Sequence, residues 1–181
     1  GSEEEKIEGR IRQAKEISDV CVVNIHWGNE YTHVPTERQR YLAGKLSEWG
    51  ADLIIGHHPH VIQPIEYIER KDGSRTLVAY SLGNFISAQD SGARMIGGML
   101  DVDIAVDLET GKTEFNGCRF VPIITHYDRG FANNRLYPLE DYTEELAASH
   151  GVRAYTPDFS LDYIKNTVKN VIAAEFLTEM S

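Results

Sequence analysis

Two short runs of β-branched and aliphatic residues, with a capped helix between them, constrain this chain more than any other feature. Residues 19–25 (DVCVVNI) and 52–55 (DLII) are nearly continuous apolar stretches. Runs without polar alternation are the mark of strands buried on both faces of a parallel sheet. Between them, Thr36 followed three residues later by Gln39 is a capping-box signature. Leu42, Leu46 and Trp49 form one apolar stripe, and Gly50 supplies a stop. The order strand, helix, strand predicts a βαβ unit with parallel strands and a right-handed crossover. Ahead of it, Ile7, Ile11, Ala14 and Ile17 recur at helical spacing, predicting an amphipathic helix over residues 3–17.

The second half has a different rhythm. Residues 61–69 and 76–81 flank Lys71-Asp72-Gly73-Ser74, a hairpin signal. Residues 100–108 alternate, with Val102, Ile104, Val106 and Leu108 on one face and Asp101, Asp103 and Asp107 on the other. Glu109-Thr110-Gly111-Lys112 reads as a turn, and residues 113–124 as the returning strand. The acidic alternation is read as a solvated strand face rather than a calcium site. The tail, residues 128–181, reads as helical, with one helix over 139–149 ended by Gly151. A second starts near Leu161 and carries Leu161, Ile164, Val168, Val171, Ile172 and Phe176 as its stripe. That stripe is read as packing on the domain rather than docking a partner. The fold class expected is α/β: a βαβ unit, then antiparallel hairpins, then C-terminal helices. The 181 residues form a single domain large enough for its own core.

Charge removes several classes of function. Lys and Arg number 18 against 28 Asp and Glu, a formal net charge of −10. The lack of a basic patch argues against nucleic acid and against docking on anionic lipid. No apolar run approaches the roughly 20 residues of a membrane span, and no signal peptide is expected within these residues. Gly1-Ser2 reads as a cloning remnant. Cys21 and Cys118 are too few and too far apart for a disulfide framework or a thiolate zinc site. Cys21, inside an apolar run, reads as a buried small residue.

The histidines carry the chemistry. His26 follows the first buried strand directly, and Gly56-His57-His58-Pro59-His60 follows the second. A βαβ unit places both groups at the carboxyl ends of adjacent parallel strands, where open α/β sheets build their sites. Imidazoles there suit a transition metal, and the His58-x-His60 spacing lets two rings reach one cluster from a loop stiffened by Pro59. His26, His58 and His60 are therefore the candidate metal ligands, expected to share one open pocket. His57 either supports the ligands from behind or points elsewhere, and His33 lies on the intervening loop. Glu30 is open to three roles: ligand, orienter of an imidazole, or general acid/base. In Ser81-Leu82-Gly83-Asn84-Phe85, Asn84 either positions a ligand or ties the loop down. His126 and His150 stand alone and read as plain polar residues.

These motifs together resemble a known family. His26-Trp27-Gly28-x-Glu30-Tyr31, Gly56-His57-His58-Pro59-His60-Val61 with Gln63, and Tyr80-Ser81-Leu82-Gly83-Asn84-Phe85 are similar to the CapA-like (PgsA-like) bacterial poly-γ-glutamate capsule synthesis proteins. The resemblance runs over residues 11–127, and Tyr137-Pro138-Leu139 resembles the family's ending. It implies a layered α/β sandwich of the calcineurin-like metallophosphoesterase kind. It also implies a hydrolase-like site on divalent metal (Mn, Zn or Fe), with His26, His58 and His60 as ligands and Glu30 and Asn84 at catalytic positions. The implied partners are subunits of a capsule synthesis complex and an anionic polymer or phosphoester substrate. The implied location is the outer face of the cytoplasmic membrane for the full-length protein, this chain itself being soluble.

The sequence also departs from that family, whose first half supplies a Gly-Asp at a strand end and an Asn-Asn-His stretch. Here neither occurs, and Asn133-Asn134 is followed by Arg135. The chain is therefore read as the C-terminal portion of a CapA-like domain, with residues 3–127 as its motif-bearing core. An exposed sheet face or edge is expected, and the metal site is expected to be incomplete and weak. Two other functions compete: a non-catalytic scaffold in an envelope polymer synthesis complex, and a metallophosphoesterase acting on small phosphoesters.

Overall fold

The computed structural model describes residues 2–177. Gly1, half of the pair read as a cloning remnant, lies outside them. Ser2 N-caps helix α1 (Glu3–Ile17): its Oγ accepts from the Glu5 N–H, and the Glu5 carboxylate accepts from the Ser2 N–H. Helix α2 (Glu37–Trp49) opens with the expected Thr36–Gln39 capping box and stops at Gly50, whose φ is 115°.

Strands β1 (Val22–His26) and β2 (Leu53–His57) flank α2 and pair in parallel, from Val22 opposite Leu53 to His26 opposite His57. Strand β4 (Arg75–Ala79) lies parallel to β2 on its other side, and β3 (Ile65–Glu69) closes the sheet antiparallel to β4. The order is β1-β2-β4-β3. A second, antiparallel sheet contains β5 (Ile96–Val106), β6 (Thr113–Asp128) and β7 (Ala132–Pro138). Helices α3 (Glu144–Ser149) and α4 (Leu161–Val171) follow.

Strand alternation divides the core in two. Ile54, Val78 and Tyr80 point toward α1 and α2 and pack with Ile11, Ala43 and Leu46. Leu53, Leu77 and Ala79, one residue out of phase, pack with Ile96, Phe120 and Ile124 of the second sheet and with Ile164, Val168 and Phe176 of the tail. The first sheet is thus covered on one side by helices and on the other by the second sheet, an α/β layered fold. Glycine lets the two sheets meet: Gly83 and Gly97 form a β-bridge, and a Cβ on Gly97 would stand 2.0 Å from the Asn84 carbonyl oxygen.

Several expectations need correction. β1 is buried on one face only. Val23 and Ile25 are half-buried against the helices, while Val22, Asn24 and His26 are exposed. The reason is position: β1 is an edge strand, paired on one side, and it lies outside the core that the second sheet shares. Residues 61 and 62 are buried but precede the hairpin strand, which begins at Ile65. Leu108 is 86% exposed rather than on the apolar face. The Asp107 carboxylate accepts from the Glu109 and Thr110 amides and turns the chain there. The tail is not wholly helical, because residues 132–138 form β7 against β6. Residues 139–141 are a 3-10 turn, and α3 begins only at Glu144, capped by Thr143.

The histidines expected to stand alone are a buried pair instead. The rings of His126 and His150 lie 4.6 Å apart. His126 Nδ1 is 2.8 Å from the Tyr142 hydroxyl. His150 Nδ1 accepts from the Val152 N–H, so its Nε2–H donates to the Thr125 carbonyl at 2.9 Å. Burial pushes the His150 pKa down to about 4 and lowers that of His126 as well. Cys21 is buried, as expected.

Candidate metal centre

The parallel strands end at one edge, and the loops that follow them bring the motif residues together. Trp27 leaves β1 with its indole N–H donated to the Tyr80 carbonyl, across Gly56. A Cβ on Gly56 would stand 2.0 Å from that carbonyl oxygen and 2.4 Å from the indole nitrogen, so only glycine permits the crossing. The Trp27 N–H bonds the His57 carbonyl, and the Tyr31 N–H bonds the Pro59 carbonyl at 2.8 Å. The loop carrying Glu30 is therefore laced to the loop carrying His58 and His60.

Two buried glutamines complete the lacing. Gln39 Nε2 donates to Gln63 Oε1 at 2.8 Å, and Gln63 Nε2 donates to the Thr32 carbonyl. Gln39 is the capping residue of α2, so the same side chain starts the helix and holds the loop beside the site. His33 donates from Nδ1 to the Ile62 carbonyl and serves the same lacing.

Glu30, His58 and His60 offer ligand atoms that all lie within 4.8 Å of one another, a group of metal-binding type among the described residues. Glu30 is exposed, and the two histidines are half-buried. His26, also expected as a ligand, is not in that group, although its ring centroid lies 4.6 Å from that of His58. His57 is exposed and outside the cluster. Tyr31, His58 and His60 hold φ values of 65°, 100° and 61°. Left-handed backbone at three non-glycine residues around one cluster is strain of the kind that concentrates at functional sites.

Asn84 sets the chemistry of His60. Its Nδ2 donates to the carbonyls of His60 and Arg94. Its Oδ1 is therefore the atom 2.9 Å from His60 Nδ1, and that nitrogen must carry the proton. The His60 Nε2 faces Glu30 Oε1 at 3.6 Å. Asn84 thus ties the loop and orients the His60 ring.

The sequence assigned no role to Tyr31 or Arg94. The Tyr31 ring stacks on His60 at 5.9 Å, and the Arg94 guanidinium lies 3.6 Å over the Tyr31 ring. Tyr31 adjoins Glu30 in a recognised motif, whereas Arg94 lies in a stretch without one.

The comparisons follow the same residues. Residues 1–89 match the family described as "Bacterial capsule synthesis protein PGA_cap". The PGA biosynthesis protein CapA of Bacillus subtilis (strain 168) is 49% identical over 79 residues, 44% of this chain and 20% of that protein. The capsule biosynthesis protein CapA of Bacillus anthracis is 47% identical over 72 residues, 40% of this chain and 16% of that protein. The uncharacterized protein y4sH of Sinorhizobium fredii (strain NBRC 101917 / NGR234) is 28% identical over 172 residues, 81% of this chain and 36% of that protein. The chain spans a fifth or less of the length of the two Bacillus relatives.

Proposed function

We propose, for a chain whose residues 1–89 are CapA-like capsule synthesis sequence, that His26, His58, His60 and Glu30 form the divalent-metal site of a hydrolase acting in capsule synthesis. The observation that carries this reading is the His60 ring. With Nδ1–H spent on Asn84, its Nε2 faces a carboxylate oxygen at 3.6 Å. The nitrogen of a neutral imidazole and a carboxylate oxygen, facing each other across that gap, are complementary to a cation between them.

Imidazole nitrogen with carboxylate oxygen suits Zn, Mn or Fe. When bound, such a metal polarises a carbonyl or phosphoryl oxygen and acidifies a water. The chain's own residues supply the rest. Asn84 keeps His60 in the ligating tautomer. Glu30, at the exposed side of the cluster, is placed to ligate or to accept a proton.

One carboxylate among three neutral imidazoles holds one ion, since paired cations repel unless carboxylates bridge them. We therefore read the chain as the C-terminal portion of a larger CapA-like domain that contributes further acidic ligands. Alone it binds metal weakly and hydrolyses little. The substrate class proposed is an anionic polymer such as poly-γ-glutamate, or a phosphoester. The setting proposed is a capsule synthesis complex at the outer face of the membrane. No helix among the described residues is long and apolar enough to cross a membrane.

The test is elemental analysis after chelation, metal reloading and dialysis, paired with a phosphodiesterase assay in added manganese. At most one weakly held ion is expected, absent from His60→Ala. Retention of two ions, or turnover abolished by His58→Ala, would show a complete enzyme in this chain. The sparse charge of the donor set favours a second reading, a scaffold that retains the site as architecture. Failure of both metal binding and turnover in a longer protein supports it.

A further inference from the structure

We propose that Arg94 is the oxyanion-recognising residue of this site, receiving a substrate carboxylate or phosphoryl group adjacent to the group held at His58, His60 and Glu30. The proposal rests on the metal-site reading above and names the charge that the substrate must carry.

Arg94 is held to the cluster at both ends. Its carbonyl accepts from Asn84 Nδ2, the amide that also fixes His60. Its guanidinium lies 3.6 Å over the ring of Tyr31, which itself stacks on His60. An arginine lying on an aromatic face leaves its in-plane N–H groups clear of the ring, in the fork that matches a carboxylate or phosphate. Among the described residues, most of that fork is unused: the guanidinium makes one hydrogen bond, from Nη1 to Asp90 at 3.0 Å. The Asp90 side chain is 60% exposed, so the pair is weak and readily exchanged for a substrate oxyanion.

Charge gives the reason such a residue is needed. The chain carries a net charge of −10, and Glu30 adds a carboxylate at the cluster itself. An anionic substrate approaching this surface is repelled unless a fixed local cation offsets the field. Arg94, anchored through Tyr31 and Asn84, supplies it.

The experiment titrates the 181-residue chain with inorganic phosphate and, separately, with a short γ-linked glutamate oligomer. Binding is followed by calorimetry, first in chelator and then with zinc. Arg94→Gln weakens the preferred anion by about tenfold, the scale of one charge-assisted hydrogen bond. Arg94→Lys falls between, since it keeps the charge and loses the fork. Asp90→Asn tightens binding by removing the competing carboxylate, a gain that a purely structural role for Arg94 does not produce. Preference for the glutamate oligomer identifies a carboxylate ligand, and preference for phosphate a phosphoryl one. Unchanged affinity in Arg94→Gln, no gain in Asp90→Asn, or no binding of either anion to the unsubstituted chain overturns the proposal. Zinc titration of the same variants separates the two claims. Failure of the unsubstituted chain to bind zinc counts against the metal reading, whereas the anion titration in chelator decides Arg94 by itself.

Discussion

Asn84 Oδ1 lies 2.9 Å from His60 Nδ1, and this contact fixes which nitrogen of His60 faces Glu30. The amide has no freedom to flip, because its Nδ2 is committed to two backbone carbonyls. A residue 24 positions away in sequence thus selects a tautomer.

Asn84→Ala is expected to weaken zinc binding by roughly 10–100-fold, the usual cost of removing a group that orients a ligating histidine. Calorimetric titration checks this, with the ring-nitrogen chemical shifts of His60 as a second readout. Unchanged affinity with an unchanged tautomer would show that Asn84 only ties the loop.

Acid should destabilise the protein in a window set by His150. Its folded pKa, about 4, lies below the ordinary value of 6.5, so the neutral form is the one the fold accepts. Its contribution is fully present above pH 6.5 and is lost as pH falls toward 4. The difference corresponds to about 3 kcal/mol. His126, lowered by burial and by Arg135 against the opposing pull of Asp128, acts in the same direction. Urea midpoints between pH 7 and pH 4 should fall steeply for the parent chain and less for His150→Gln.

At the far end of β2 from the histidines, Asp52 is fully buried. It accepts from the Cys21 N–H, Thr113 Oγ1, Lys15 and Arg70. Burial alone would raise its pKa, but these bonds outweigh it and hold the carboxyl below the ordinary value. Asp52→Asn leaves Lys15 and Arg70 without their counter-charge and should cost about 3–5 kcal/mol. Denaturant unfolding measures this. Zinc affinity of the folded variant should not change, since the site lies at the opposite sheet edge.

Gly56→Ala should couple stability to the site. The added methyl collides with the Tyr80 carbonyl and the Trp27 indole, neither of which can yield without breaking their bond. A loss of about 2–4 kcal/mol is expected, with a change in tryptophan near-ultraviolet dichroism and weaker zinc binding. Normal zinc affinity in a destabilised variant would show that the Glu30 loop does not depend on Trp27.

What the sequence determined by itself is local. Residues 53–57 form a strand and 37–49 a helix because apolar runs and a capping box act over a few neighbours. Those elements sufficed to bring His26, His58 and Glu30 to one sheet edge. Where the physics is non-local, the sequence was silent. Strand β7 contains Asn133, Asn134 and Arg135 and owes its form to pairing with β6 rather than to its own residues. β1 looks doubly buried in sequence, but its place at the sheet edge leaves one face open. His126 and His150 became a buried pair only when the chain after β7 packed against β6. The pairing of Asn84 with His60 and of Arg94 with Tyr31 likewise required the second sheet to meet the first at Gly83 and Gly97. Hydrophobic periodicity records which face of an element is apolar, but it holds no record of which distant polar groups will satisfy one another, and tertiary packing alone decides that.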